Sequence, residues 1–145
     1  MISIHPVAES KMIEDGIKIY PDECCGFFYG QEDHSGHRRV TDILVVNNAK
    51  EGDRRRRFEI SSKDYIKAEQ YAMENNLQLL GVYHSHPDHP AIPSEQDRIA
   101  AQPYFSYIII SVMKNNVTQF RSWILNDNFS FEEEEINNQQ LNTIK

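Results

Sequence analysis

The chain has 145 residues, 15 of them Lys or Arg and 22 Asp or Glu, for a formal net charge of −7, and 39% of its residues are hydrophobic. That apolar share suffices for the core of one ordinary globular domain and excludes intrinsic disorder, while the acidic balance argues against a general affinity for nucleic acid. No run of about 18 apolar residues is available to cross a membrane, and the start, Met1-Ile2-Ser3-Ile4-His5-Pro6, has neither the basic nor the apolar part of a signal peptide, so a cytoplasmic protein is expected.

In chain order, residues 7–20 place Ile13, Ile17 and Tyr20 at helical spacing, and Pro21 stops the helix. Cys24 to Tyr29 is short and aromatic, bounded by Gly30, and Val40 to Val46 is β-branched; both read as strands, joined through a turn-like polar stretch into a hairpin. Cys24 and Cys25 are adjacent and badly placed to bridge each other, so they are expected to be buried free thiols in a reducing compartment. Gly26 and Gly30 suit close backbone approach or a turn rather than phosphate binding.

Residues 47–57, ending in Arg54, Arg55, Arg56 and Arg57, are polar and read as an exposed loop leading into Phe58 and Ile60. Ser61 with Asp64 resembles a capping box and opens a second helix through about Asn75, with Tyr65, Ala68 and Ala72 inward. Gln78 to His86 is a strand whose centre suggests burial on both faces. A Pro-rich turn leads to a short helix from Ser94 to about Gln102, then strands at Ser106 to Met113 and Val117 to Leu125, and an extended piece near Phe129 to Ile136. This order implies one α/β domain over residues 1–136, a mixed β-sheet flanked by helices, with residues 137–145 as a frayed tail. Composition leaves a homo-oligomer open.

His84-Ser85-His86 ends the most buried strand, and residues two apart on a strand point to one face, so two imidazoles converge. Asp97 follows 11 residues after His86, in the first turn of the short helix, across a loop stiffened by Pro87, Pro90 and Pro93. Two His and one Asp suit Zn²⁺ with a fourth position left for water, the pattern of catalytic rather than structural zinc. Against this, a histidine at a strand end is commonly just hydrogen-bonded, and Ser94, Glu95 and Asp97 make a good helix start by capping alone. Capping does not explain the coincidence of the pair, the stiff loop and the acid. His84 to His89 also matches H-x-H-x-D-H, the signature of metallo-β-lactamase-fold hydrolases; that larger fold needs further ligands downstream, and no histidine follows His89, which leaves His89 an ordinary loop residue. There is no H-E-x-x-H and no P-C-x-x-C.

His84-Ser85-His86-Pro87 followed by Ser94-x-x-Asp97 resembles the JAMM motif of the MPN+ family of zinc isopeptidases. Upstream, Pro21-Asp22-Glu23-Cys24-Cys25-Gly26-Phe27-Phe28-Tyr29-Gly30 is similar to that family's other segment, in which an acid precedes C-G-x-x-x-G. The resemblance runs from about residue 3 to 125. It implies the MPN/JAB, cytidine deaminase-like α/β architecture, with His84, His86 and Asp97 as zinc ligands, Glu23 as the carboxylate that activates water, and Ser94 as a stabiliser of the tetrahedral oxyanion. It further implies hydrolysis of an amide or isopeptide bond after the C-terminal Gly-Gly of a ubiquitin-like or sulfur-carrier β-grasp protein, as in small bacterial members. A non-catalytic MPN scaffold and a hydrolase of small peptides are the alternatives. Four arginines on a chain of net −7 suggest contact with an acidic surface or tail of a partner.

Overall fold

The computed structural model describes residues 1–138. Its elements are β1 (Ile2–Ile4), α1 (Pro6–Ile19), β2 (Cys25–Glu32), β3 (Arg38–Val46), α2 (Ser62–Glu74), β4 (Gln78–Pro87), α3 (Glu95–Ala100), β5 (Ser106–Met113), β6 (Asn116–Leu125) and β7 (Phe131–Glu134). The seven strands form one sheet in the order β1-β3-β2-β4-β5-β6-β7. Two pairs, β1 with β3 and β4 with β5, are parallel and the rest antiparallel, so the sheet is mixed as expected. The β2–β3 hairpin is present, with Cys25 opposite Val46.

Strand alternation divides the core between two faces. Phe28, Tyr83, Ile108, Ile110 and Val112 pack on one side with Ala8 and Met12 of α1; Phe27, Tyr29, Val82 and Tyr107 pack on the other with Ala68 and Ala72 of α2. Ser61 caps α2 as anticipated, its hydroxyl accepting from the Asp64 N–H at 3.1 Å. Among the described residues no helix is long and apolar enough to cross a membrane.

Several expectations change. The most deeply buried positions of α1 are Ala8, Met12, Asp15 and Gly16, with Ile17 and Tyr20 only partly buried beside them. Small residues let the helix lie close on the sheet: a Cβ at Gly16 would stand 3.1 Å from Val112 Cγ2. Asp15 is tolerated because it accepts a 2.8 Å hydrogen bond from the Tyr83 hydroxyl. Burial raises the pKa of Asp15, opposed by the bonds from Tyr83 and Cys24. β1, too short to read locally, pairs with β3, thirty-odd residues distant in sequence. The last extended piece is a four-residue strand, and α3 ends two residues sooner than the pattern suggested. Asn137 and Asn138 are tied to β1, the Asn137 N–H donating to Ile2 O at 2.8 Å and the Asn138 Oδ1 accepting from Ile4 N at 2.7 Å. The rest of the expected frayed tail, 139–145, lies outside the described residues.

Candidate metal centre

β4 is buried from Leu80 to Pro87, between antiparallel β2 and parallel β5. His84 and His86 project to the α2 side of its C-terminal end, the usual place for a site in a sheet with parallel strands. Ser85 projects to the opposite face, where its hydroxyl accepts from the Cys24 N–H at 2.8 Å and its own N–H donates to Cys24 O at 3.2 Å. These bonds continue the pairing of β2 with β4 beyond its last registered step, Cys25 opposite His84. Gly26 permits the same close approach, since a Cβ there would come within 2.4 Å of the Tyr83 ring. Ser85→Ala would orphan the buried Cys24 N–H, and is expected to cost about 1–3 kcal/mol in a chemical denaturation curve.

The crossover from β4 to β5 carries α3 and returns Asp97 to the histidine pair. His84 Nε2 is 3.1 Å from His86 Nε2; Asp97 Oδ1 is 3.3 Å from His84 Nε2, and Asp97 Oδ2 is 3.1 Å from His86 Nε2. The capping box is also real: Ser94 Oγ accepts from Asp97 N at 3.1 Å, and Ser94 N donates to Asp97 Oδ2 at 2.8 Å. One carboxylate thus both caps the helix and joins the cluster, so the two explanations of Ser94-x-x-Asp97 are not rivals.

The hydrogen-bond partners of His86 orient its ring. His86 Nδ1 faces the Pro90 carbonyl at 2.9 Å. A carbonyl only accepts, so Nδ1 carries a proton there, and in the neutral imidazole Nε2 is then the nitrogen whose lone pair faces the cluster. Ligand atoms on a tetrahedron of about 2.0–2.1 Å bonds stand about 3.3 Å apart; the two Nε2 atoms, 3.1 Å apart, approach this spacing, with one carboxylate oxygen of Asp97 beside each. Two imidazoles and a carboxylate are also the right donor chemistry, so the residues present fit Zn²⁺.

Glu23, just before β2, is 3% exposed, and its Oε1 has no hydrogen-bond partner among the described residues; nor does His84 Nδ1. Ligand atoms of Glu23, His84 and His86 lie within 4.8 Å of one another. Burial pushes the Glu23 carboxyl up to about 9, with the charge of Asp97 adding to the effect. Burial acts the same way on Asp97, but there the charge of His84, the bonds to both imidazoles and the Ser94 N–H outweigh it and hold the carboxyl far below the usual range. Burial lowers the pKa of His84, and Asp97 opposes that shift. For Glu23 the folded value lies above the unfolded one, so its contribution to stability is complete below about pH 4.5 and is lost as pH rises toward 9. Without metal, the melting temperature of the wild type is therefore expected to fall more between pH 5 and 8 than that of Glu23→Gln, as calorimetry of the two proteins would show.

An open cavity of about 370 Å³ adjoins the cluster, lined by Glu23, Arg56, His86, His89, Pro90, Ile92 and Ser94. His89, expected to be an ordinary loop residue, faces this cavity. Asp88 points elsewhere, both its oxygens accepting from the Tyr20 hydroxyl at 2.9 Å, so the H-x-H-x-D-H match does not form a common centre. Cys24 and Cys25 are buried free thiols, as expected.

All five expected site residues therefore meet in one place: Glu23, His84, His86, Ser94 and Asp97. Residues 5–126 match the family model for prokaryotic homologs of the JAB domain. The chain belongs to this family. A desampylase of Pyrococcus furiosus is 29% identical over 105 residues, 72% of this chain and 68% of that protein. The solution structure of a protein from Desulfitobacterium hafniense superposes with a TM-score of 0.82 at 28% identity, covering 94% of this chain and 92% of that one. A second, from Salinibacter ruber, gives 0.71 at 36% identity, covering 92% and 89%.

Sequence patterns did not single out two further neighbours of this cluster. Phe58 stacks on His84, with ring centroids 4.3 Å apart at 25°. Asn48 holds the intervening loop by its side-chain amide. Neither carries a motif: an aromatic after a polar loop and an Asn at a strand end are common, and only their tertiary partners give them a role.

Proposed function

We propose that this protein is a JAMM-type zinc metallopeptidase that hydrolyses the amide or isopeptide bond after the C-terminal Gly-Gly of a ubiquitin-like or sulfur-carrier β-grasp protein. The carrying observation is the convergence of His84 Nε2, His86 Nε2 and the Asp97 carboxylate, 3.1–3.3 Å apart, beside the buried Glu23, whose Oε1 has no hydrogen-bond partner among the described residues. Family membership and the desampylase relative support the reading.

His84 and His86 through Nε2, with Asp97, would hold the zinc, which when bound supplies a Lewis acid and makes water a better nucleophile. Pro90 fixes the tautomer of His86 so that its Nε2 lone pair faces the centre. Glu23 takes the proton from the attacking water as the water oxygen bonds to the scissile carbonyl carbon. It then passes that proton to the departing amine nitrogen as the C–N bond breaks, so one carboxyl serves both halves. Its apolar setting, which favours the protonated form, suits the second half, and a dication held by His84, His86 and Asp97 favours the carboxylate needed for the first. Ser94 Oγ is already an acceptor from Asp97 N, which leaves its O–H to donate toward the cavity and the developing oxyanion.

Arg56 lines the cavity, and Arg54, Arg55 and Arg57 are exposed in the same loop, in line with an acidic surface or tail on the partner. The test is intact-mass analysis of zinc-loaded protein with β-grasp proteins extended beyond Gly-Gly by cysteine, a peptide or a lysine-linked chain. A product ending in Gly-Gly, abolished by chelation, is the expected result. Zinc binding with no cleavage of any member of the panel would favour the scaffold, and cleavage of short peptides alone would favour the small-peptide hydrolase.

A further inference from the structure

Glu23 lies outside every strand, so the ladder that fixes β2 does not fix it; β3 ends at Val46, opposite Cys25. Its main chain is held instead by the loop between β3 and α2. The Glu23 N–H donates to Arg54 O at 2.7 Å, and Glu23 O accepts from Asn48 Nδ2 at 3.2 Å. The other donor of the same amide reaches Arg57 O at 3.0 Å, while Asn48 Oδ1 accepts from Lys50 N and Glu59 N, each at 3.0 Å. Both donors and both lone pairs of the amide are thus used. The opposite amide orientation would set an oxygen against two carbonyls and an NH₂ against two N–H groups, so the partners decide the assignment.

Accepting from Lys50 and Glu59 pins the two ends of the loop together, beside the Ala49 N–H to Glu59 O bond of 2.8 Å. Donation joins that pinned loop to Glu23. The loop ends in Phe58, stacked on His84, so one amide connects the mount of the carboxyl to the wall of the histidine pair.

We infer that Asn48 is a positioning residue for Glu23: its amide N–H groups anchor the Glu23 backbone to the 49–59 loop and so aim the carboxyl at the centre formed by His84, His86 and Asp97. This rests on the proposal that Glu23 is the catalytic base, and it assigns a role to a residue outside the H-x-H-P and S-x-x-D motifs. Asn48 touches none of the three proposed ligands, so its loss disturbs aim and leaves metal binding intact.

Two variants separate this role from loop anchoring. Asn48→Asp keeps the acceptor for Lys50 and Glu59 and loses both donations; Asn48→Ala loses everything and adds no charge. Both are expected to lower kcat by about 10- to 100-fold, the scale of a small misplacement of a reacting group, with zinc affinity within about 3-fold of the wild type. The accompanying readout is amide hydrogen exchange. The Glu23 N–H is bonded to Arg54 O of the loop that Asn48 ties to Glu23 O and Arg57 O, so loss of both donations frees loop and mount together, and this N–H should exchange at least about 10-fold faster in Asn48→Asp while the amides of β4 are unchanged. Asn48→Asp with wild-type kcat, or with unaltered exchange at Glu23, overturns the inference and leaves a loop anchor only. Should the wild type cleave nothing in the panel, the proposed function fails, and the exchange experiment still decides whether Asn48 holds Glu23.

Discussion

Glu23→Gln is expected to keep zinc and lose about 10²- to 10⁴-fold in kcat, the range of a positioned general base. Gln is nearly isosteric with Glu, carries no charge and cannot take up a proton at neutral pH, so the substitution removes proton transfer and little else. Glu23 is 3% exposed, its Oε1 has no partner among the described residues, and the other carboxylate of the cluster, Asp97, is already engaged with both imidazoles and the Ser94 N–H. The residual rate should persist with KM little altered, because the cavity walls formed by His89, Pro90 and Ile92 are untouched. Zinc content by mass spectrometry under native conditions, beside single-turnover rates, checks both halves. Unchanged turnover would remove Glu23 from the mechanism, and loss of zinc would make it a ligand.

The second large effect is expected at Asp97. Asp97→Asn should weaken zinc binding by more than the 10- to 100-fold typical of residues that merely support a ligand, because it removes the anionic member of the donor set. A competition titration with a chromogenic chelator measures this directly. The change acts twice, since the same carboxylate caps α3. The Asn side-chain oxygen can still accept from Ser94 N, so both halves of the capping box survive in Asn, whereas Ala keeps only the bond from its own N–H to Ser94 Oγ. Activity and zinc affinity should therefore fall together in Asp97→Asn, while the melting temperature of the metal-free protein falls further in Asp97→Ala. Equal zinc affinity in Asp97→Asn and wild type would show that the carboxylate serves only as the cap.

What the sequence by itself determined was local in origin. His84 and His86 share a face because strand periodicity is two, and Ser94 with Asp97 makes a helix start because N-cap and N3 lie three residues apart. The hairpin, the capped second helix and the alternation of inward residues follow from equally short spacings. The motif resemblance could also select Glu23 from 22 acidic residues, but no spacing from Glu23 to the histidines carries that choice.

Only the tertiary structure decided how those pieces meet. Glu23 comes beside His84 because β2 pairs with β4, some sixty residues on, and its raised pKa is a consequence of the burial that this pairing produces. The depressed pKa of Asp97, a residue of the same chemical class in the same site, comes from the imidazoles and N–H groups that its helix brings to it. Asn48, Phe58 and His89 gained their places through contacts across the chain, and α1 turned its small residues, rather than its isoleucines, most deeply into the sheet. Periodicity records which side chains share a face. Which face lies close enough to bury a charge, orphan a carboxylate oxygen or grip a loop depends on packing distances between segments remote in sequence, and no local pattern encodes them.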